Sequence, residues 1–184
     1  MCASVGGVMG TIFISGVYGV GKSRLCGSLS NMLNIPVFSA SDLISNVNGE
    51  KYGANKIVQN VEDNQNILIE EVNKKLIKHP RILLAGHFCV FNVDNSIEMI
   101  PYSILSEIQI EKILLLEAEP VRIQHNLCLR DKKEYELDII QQIIETERRV
   151  AETLSKQQCC AWYVHQMSFD EIDLKKCYDF ICRS

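Results

Sequence analysis

Residues 11–15 read Thr-Ile-Phe-Ile-Ser and run directly into Gly16-Val17-Tyr18-Gly19-Val20-Gly21-Lys22-Ser23. The first five form a short apolar, β-branched run, which suits a strand buried on both faces. The next eight fit the pattern G-x-x-x-x-G-K-[ST], and a helix is predicted from Lys22 to about Leu33. Each part has a physical task. The glycines let the backbone turn sharply and come close to a phosphate. Successive N–H groups then converge on one concavity, reinforced by the partial positive charge at the start of the helix. The Lys22 ammonium can bridge β- and γ-phosphate oxygens, and the Ser23 hydroxyl can ligate magnesium. The expected ligand is therefore ATP with Mg2+, cradled by Gly16, Gly19, Val20, Gly21, Lys22, Ser23 and Arg24. A glycine-rich turn could match this pattern by accident, but the buried strand before it and the helix after it argue against accident.

Downstream, strands and helices alternate, which predicts an α/β fold with a mainly parallel sheet. Residues 37–39 form a second short strand after Pro36, and Ser41-Asp42-Leu43 can open a helix. Apolar positions across residues 56–78 are broadly helical, with a polar stretch at 60–66 able to hold a bend, and Pro80 stops them. Residues 81–86 (RILLAG), 110–117 (IEKILLLE) and 162–167 read as the third, fourth and fifth strands of the sheet. Two short alternating runs between residues 87 and 100 flank Val93-Asp94-Asn95-Ser96 as a small hairpin. Pro120 fits a first helical turn, with helical pattern to about residue 129 and again over about 134–157. Ser168-Phe169-Asp170-Glu171 reads as a capping box that starts the last helix.

A chain of 184 residues can build one domain with a full core. A net charge of -4 and a pI of about 5.6 give no sequence-independent footprint for a phosphate backbone, so nucleic acid is not expected as a partner. The eight cysteines are scattered and include no Cys-x-x-Cys pair, so free thiols in a cytoplasmic setting are expected. No stretch approaches the roughly 18 apolar residues that span a bilayer. The first ten residues hold no Lys or Arg, which speaks against a secretory signal, and residues 1–8 are expected to be a loose tail.

The order of elements also resembles a family. The loop lies near the N-terminus, a Ser-Asp-Leu element follows the second strand, a Gly-His turn the third and an Arg-Asp pair the fourth. This order is similar to small P-loop kinases of the nucleoside monophosphate kinase group, nearest the archaeal type of adenylate kinase and bacterial ATP-binding proteins of similar length. The resemblance implies a P-loop NTPase three-layer sandwich with a five-stranded sheet, an acceptor-binding segment at about 40–78 and a mobile lid at about 120–150. It implies that Asp42, flanked by Ser39 and Ser41, lies near magnesium or the acceptor. It also implies that Arg122 and Arg130 clamp the triphosphate and that Arg148 and Arg149 approach the transferring phosphoryl. Two positions depart from the pattern. Ala85 stands where an Asp often ends strand three, and Ser45 stands where adenylate kinases place an arginine for AMP. Lys56 is a partial substitute, since lysine lacks the arginine fork.

The residues themselves allow plainer roles. Asp42 can simply cap a helix. His87 can contact phosphate or hold a turn. Arg122 and Arg130 are two turns apart on a helix that can equally be a solvated face, and Arg148 and Arg149 can pair with Glu145 and Glu147. Asp131 can orient Arg130. Asn64, Gln65 and Asn66 can read an acceptor or form a solvated patch. The combined expectation is a phosphotransferase that moves the γ-phosphoryl of ATP to a nucleotide or other small-molecule acceptor. Lys22, Asp42, Arg122 and Arg130 would be its catalytic residues and Ser23 and Asp42 its metal contacts. The alternative is a nucleotide-binding switch with weak hydrolysis. A homo-oligomer stays open.

Overall fold

The computed structural model describes residues 10–49, 61–91, 96–132 and 134–183. In chain order it builds β1 (Gly10–Ser15), α1 (Lys22–Leu33), β2 (Val37–Ser39), α2 (Ala40–Asn48), α3 (Val61–Lys78), β3 (Arg81–Ala85), β4 (Cys89–Phe91) and β5 (Ile97–Met99). Then come α4 (Tyr102–Glu107), β6 (Ile110–Glu117), α5 (Pro120–Asp131), α6 (Leu137–Gln158), β7 (Ala161–Gln166) and α7 (Glu171–Cys182). Five strands pair in the order β2-β3-β1-β6-β7, and every pairing in this sheet is parallel. The short β4–β5 hairpin stands apart and is antiparallel, as its alternation predicts. No helix among the described residues is long and apolar enough to cross a membrane.

Strand β1 explains the layering. Its side chains alternate between faces. Ile12 and Ile14 join Leu25 and Leu29 of α1, Ile123 and Leu127 of α5 and Ile181 of α7 in one core. Phe13 joins Leu43 of α2, Leu68 and Val72 of α3, Leu105 of α4 and Leu154 of α6 in the other. A strand apolar on both faces needs helices on both sides, and the sandwich follows.

Several boundaries differ from the sequence reading. Helix α2 starts at Ala40, and the Ser39 hydroxyl accepts the Asp42 N–H at 3.4 Å. Ser39 is therefore the cap and Asp42 lies inside the first turn. At α7 the cap is Asp170, which accepts from the Ile172 N–H at 2.8 Å, so Ser168 does not close a capping box. Helix α6 begins at Leu137, because the Tyr135 carbonyl is taken by Gln124 of α5. Helix α4 had no sequence signal, since its six residues are too short to show a period. The tail at 1–8, residues 56–60 with Lys56, and the hairpin turn at 93–95 lie outside the described residues.

Where β1 runs out, Gly16 takes φ +141°, and a Cβ there would lie 2.4 Å from the Leu116 carbonyl oxygen of β6. Gly16→Ala is expected to cost about 1–3 kcal/mol of stability through this clash and its strained backbone. Urea unfolding would show a lower midpoint with an unchanged slope.

Candidate functional site: a phosphate loop between two cavities

The loop between β1 and α1 carries the local geometry that its sequence requires. Gly21 is the N-cap of α1 in the left-handed region (φ 95°), and no side chain caps the helix. The start of α1 thus has no side-chain cap, which is a condition for anion binding there. Val20 is fully buried and its N–H donates to the Val17 carbonyl at 3.4 Å, so its side chain anchors the loop. Asn126 of α5 donates to the Gly19 carbonyl at 2.8 Å and pins the loop from above. The Lys22 ammonium curls over this turn, donating to the Gly16 carbonyl at 2.5 Å and the Val17 carbonyl at 3.1 Å.

Two cavities meet at this loop. The larger, about 480 Å³, is lined by Gly19, Gly21, Lys22, Ser23 and Arg24 at one end. Its walls come from Phe13, from Ser39, Ser41 and Ile44 at α2, and from Asn64, Gln65 and Leu68 of α3. Ala85, Gly86 and His87 after β3 and Arg130 of α5 complete them. The smaller, about 280 Å³, shares Gly21 and Arg24 and is closed by Met167, Phe169 and the start of α7. The Arg122 guanidinium stands 4.9 Å over the Phe169 ring, a cation–π contact. Phe169 is held by Asp173, whose buried carboxylate accepts from the Phe169 N–H at 2.7 Å, the Ser168 N–H at 2.9 Å and His165 at 2.8 Å. Burial alone would raise that carboxyl, but these hydrogen bonds outweigh it and hold it below its ordinary value.

Of the residues singled out from sequence, Lys22, Ser23, Arg24, Gly19, Gly21 and Arg130 converge on the larger cavity. Of the two arginines only Arg130 lines the larger cavity, and Arg122 lies against the Phe169 ring without lining either one. Asp42 is exposed and lines neither cavity, while its neighbours Ser39 and Ser41, hydrogen-bonded through their hydroxyls at 2.8 Å, face the larger one. Arg130 donates Nε and Nη2 to Asp131 at 2.5 and 2.6 Å, and the Tyr135 hydroxyl donates to the same carboxylate. Asp131 thereby orients Arg130, whose guanidinium also stands 5.8 Å over the Tyr18 ring. Arg148 pairs neither with Glu145 nor with Glu147. It forms a two-pronged bond to Glu117 at the end of β6. Arg149 is exposed, with Nη2 3.9 Å from the Met99 sulfur. Asn64 and Gln65 are buried and only Asn66 is exposed, so these three residues do not form a solvated patch.

Magnesium can be tested against the donor set. Ser23 offers a hard hydroxyl oxygen beside the loop amides, which suits an ion that keeps water and phosphate ligands. Among the described residues no group of three or more His, Cys, Asp or Glu could hold a metal, so the ion fits here only as a companion of the triphosphate on Ser23.

Sequence reading missed Glu147. This α6 side chain is 1% exposed and accepts from the Phe88 N–H at 2.8 Å and the Cys89 N–H at 3.1 Å, just after β3. Its Oε2 is buried without a hydrogen-bond partner, and its Oε1 lies 3.9 Å from His87 Nδ1. The position where β3 lacks a carboxylate is thus followed, three residues on, by a turn held by a carboxylate from a distant helix. Only the apolar spacing around Ile143, Val150 and Leu154 could have hinted that Glu147 points inward. Burial pushes Glu147 up to about 7, with Lys22 and the two backbone donors pulling it down. Between its ordinary 4.5 and 7 the folded protein keeps a proton that the unfolded chain has released. Stability should therefore be highest in this respect below 4.5, fall as pH rises, and level above 7. Urea titrations from pH 4 to 8 should show that fall in the native sequence and a flatter profile in Glu147→Gln.

The geometry agrees with solved structures at the level of fold. The chain is similar to a shikimate kinase from Bacteroides thetaiotaomicron, with TM-score 0.58, 16% identity, and coverage of 93% of this chain and 95% of that one. It is similar to a gluconokinase from Sinorhizobium meliloti 1021, with TM-score 0.60, 12% identity, and coverage of 96% and 93%. It also matches a tunicamycin resistance protein from Deinococcus radiodurans, with TM-score 0.53, 12% identity, and coverage of 82% and 96%. These likenesses establish the P-loop NTPase fold, and none of the three is an adenylate kinase. No curated protein matches the sequence. The AAA domain family matches residues 15–144, more than half the chain, and the chain belongs to that family.

Proposed function

We propose that this protein is an ATP-dependent phosphotransferase acting on a small molecule. One observation carries the reading. The phosphate loop opens on two cavities that share Gly21 and Arg24, so a donor and an acceptor can meet across it. The smaller cavity, with Phe169 and Met167 in its lining, suits a nucleotide base, since a flat ring gains from an aromatic face. The larger suits the acceptor. A binding module would need only the first.

Phosphoryl transfer asks the protein mainly for positioning and charge neutralisation. The amides from Gly19 to Arg24 and the Lys22 ammonium would hold the phosphates, and Ser23 would share magnesium with them. Bound magnesium supplies further neutralisation of the triphosphate oxygens. Arg130 keeps its Nη1 donors for a phosphoryl oxygen while Asp131 fixes its plane. In the step itself the acceptor hydroxyl oxygen forms the new bond to the γ-phosphorus. The bond to the β–γ bridging oxygen breaks, and its electron pair leaves on ADP. The hydroxyl proton passes to the His87 imidazole on the cavity wall, whose Nδ1 lies 3.9 Å from Glu147 Oε1. Asp42 enters this scheme only if α2 turns inward on loading, since it is exposed here. The sequence reading's cytoplasmic setting belongs to the same proposal.

A second reading, a switch with slow hydrolysis, draws on Ala85, which lines the larger cavity with a methyl group where a carboxylate could help hold the metal. The two differ in whether ADP release depends on an acceptor. We expect ADP formation with ATP and magnesium to rise when the right acceptor is added from a panel of small alcohols and nucleotides. Lys22→Ala should lower kcat/KM by at least about 10²-fold, and Arg130→Ala by about 10³-fold, with unchanged circular dichroism. Slow hydrolysis indifferent to every acceptor, and accelerated by Ala85→Asp, would favour the switch.

A further inference from the structure

Phe169 holds an unusual backbone conformation. Among the described residues, the non-glycine positions with positive φ are Asn34, Lys132, Cys159 and Phe169. The first three are the C-caps of α1, α5 and α6, where the left-handed region is an ordinary way to end a helix. Phe169, at φ 65°, instead lies just before Asp170, the N-cap of α7. A bulky aromatic is a genuine outlier in that region, which glycine or asparagine would enter at less cost. Strain of this kind persists only where the surroundings over-determine it.

Asp173 does the determining. Its side chain is buried, and its Oδ1 accepts from the Ser168 N–H at 2.9 Å, the Ser168 hydroxyl at 2.9 Å and His165 Nε2 at 2.8 Å. These donors fix the plane of the carboxylate, and its Oδ2 then takes the Phe169 N–H at 2.7 Å. The ring is thereby set on the wall of the smaller cavity, against the phosphate loop. A Cβ on Gly21 would lie 3.6 Å from the Phe169 ring and 3.5 Å from Met167 Cε. Arg122, which does not line this cavity, stands 4.9 Å over the same ring. Asp173 also has a plainer role, since an acidic residue in the first turn that reaches back to preceding amides steadies a helix start. That role alone would cost stability on removal and leave base recognition untouched.

We infer that Asp173 is a positioning residue for nucleotide binding: it holds Phe169 in its left-handed conformation so that the ring forms a preset stacking face for the base. The inference rests on the reading that a triphosphate lies on the phosphate loop with its base in the smaller cavity. A ring already fixed in place loses little freedom when a base stacks on it. Its contact with Gly21 ties the position of that face to the seat of the phosphates.

Calorimetry with two probes separates the roles: a non-hydrolysable ATP analogue and inorganic tripolyphosphate, each with magnesium. Tripolyphosphate carries the phosphates without a base, so the ratio of the two affinities isolates the base. In Asp173→Asn the amide oxygen can still serve Ser168 and His165, which turns its NH2 toward the Phe169 N–H and cuts that contact. We expect Phe169→Ala to weaken the analogue roughly fivefold or more and Asp173→Asn roughly threefold or more, with tripolyphosphate changed less than about twofold in each. Phe169→Tyr should bind the analogue as the native sequence does. The double variant should bind it no more weakly than Phe169→Ala alone, because Asp173 acts through the ring. Should Asp173→Asn fail to fold, Phe169→Gly and Phe169→Ala carry the test. Both lack the ring and should share the loss, while Phe169→Gly should unfold at higher urea because glycine accepts φ 65°. Equal losses for both probes, an additive double variant, an unchanged affinity ratio, or a Phe169→Gly no more stable than Phe169→Ala would overturn the inference. If the native protein takes up neither probe, the nucleotide reading itself falls and takes this inference with it. Uptake of the analogue that is indifferent to Phe169 and Asp173 removes the inference alone.

Discussion

The close approach of Gly16 to the Leu116 carbonyl is the constraint on which the site depends. Strands β1 and β6 are neighbours in the middle of the sheet, and at this point their backbones leave no room for a side chain. The chain must therefore turn away sharply, and it does so through residues that accept left-handed or extended-positive torsions. Gly21 ends the turn as the N-cap of α1 and offers no side chain of its own. A serine or aspartate there would satisfy the first amides and remove the reason for an anion to bind. The start of α1 is a helix end left without a side-chain cap at a fixed place.

The two cores then decide what surrounds that place. Because β1 is apolar on both faces, helices pack above and below it, and the loop at its carboxyl end emerges between them. On the Phe13 side, α2, α3 and α4 stand back enough to leave the larger cavity. Phe13 stacks on Phe88 with centroids 4.8 Å apart, and a side chain at Gly86 would strike its ring at 2.8 Å. That contact sets the floor of the cavity. On the other side, Asp173 folds residues 168 and 169 over the entrance and carries Phe169 to Arg122. Each cavity thus exists because a specific polar or aromatic contact holds its lining in place.

Glu147 shows how a carboxylate can reach a turn from an element far away in the chain. Strand β3 ends in Ala85, yet a buried carboxylate reaches the turn after it from α6. Helix α6 contributes this carboxylate and belongs to both cores through Ile143 and Leu154, and the Lys22 ammonium pulls the buried Glu147 carboxyl down. Arg148, one residue on, is tied to the end of β6, so the same turn of α6 grips two strand ends at once.

The sequence by itself determined the phosphate loop, the five strands with their α/β class, the positions of α1, α5 and the hairpin, and the convergence of Lys22 and Ser23 on one concavity. These rest on local rules: torsions that glycine alone tolerates, apolar runs that must be buried, and amides that follow one another along the chain. Where several residues compete for one local task, the reading was displaced by a residue or more, as with Ser39 in place of Asp42 at α2 and Asp170 in place of Ser168 at α7. The tertiary structure decided which polar residues face inward. It set Arg130 on the larger cavity and Arg122 against Phe169, took Arg148 to Glu117, left Asp42 outside, and buried Asn64, Gln65 and Glu147. Those outcomes turn on the rotation of whole helices against the sheet. That rotation is fixed by contacts between segments far apart in the chain, and no local spacing encodes it.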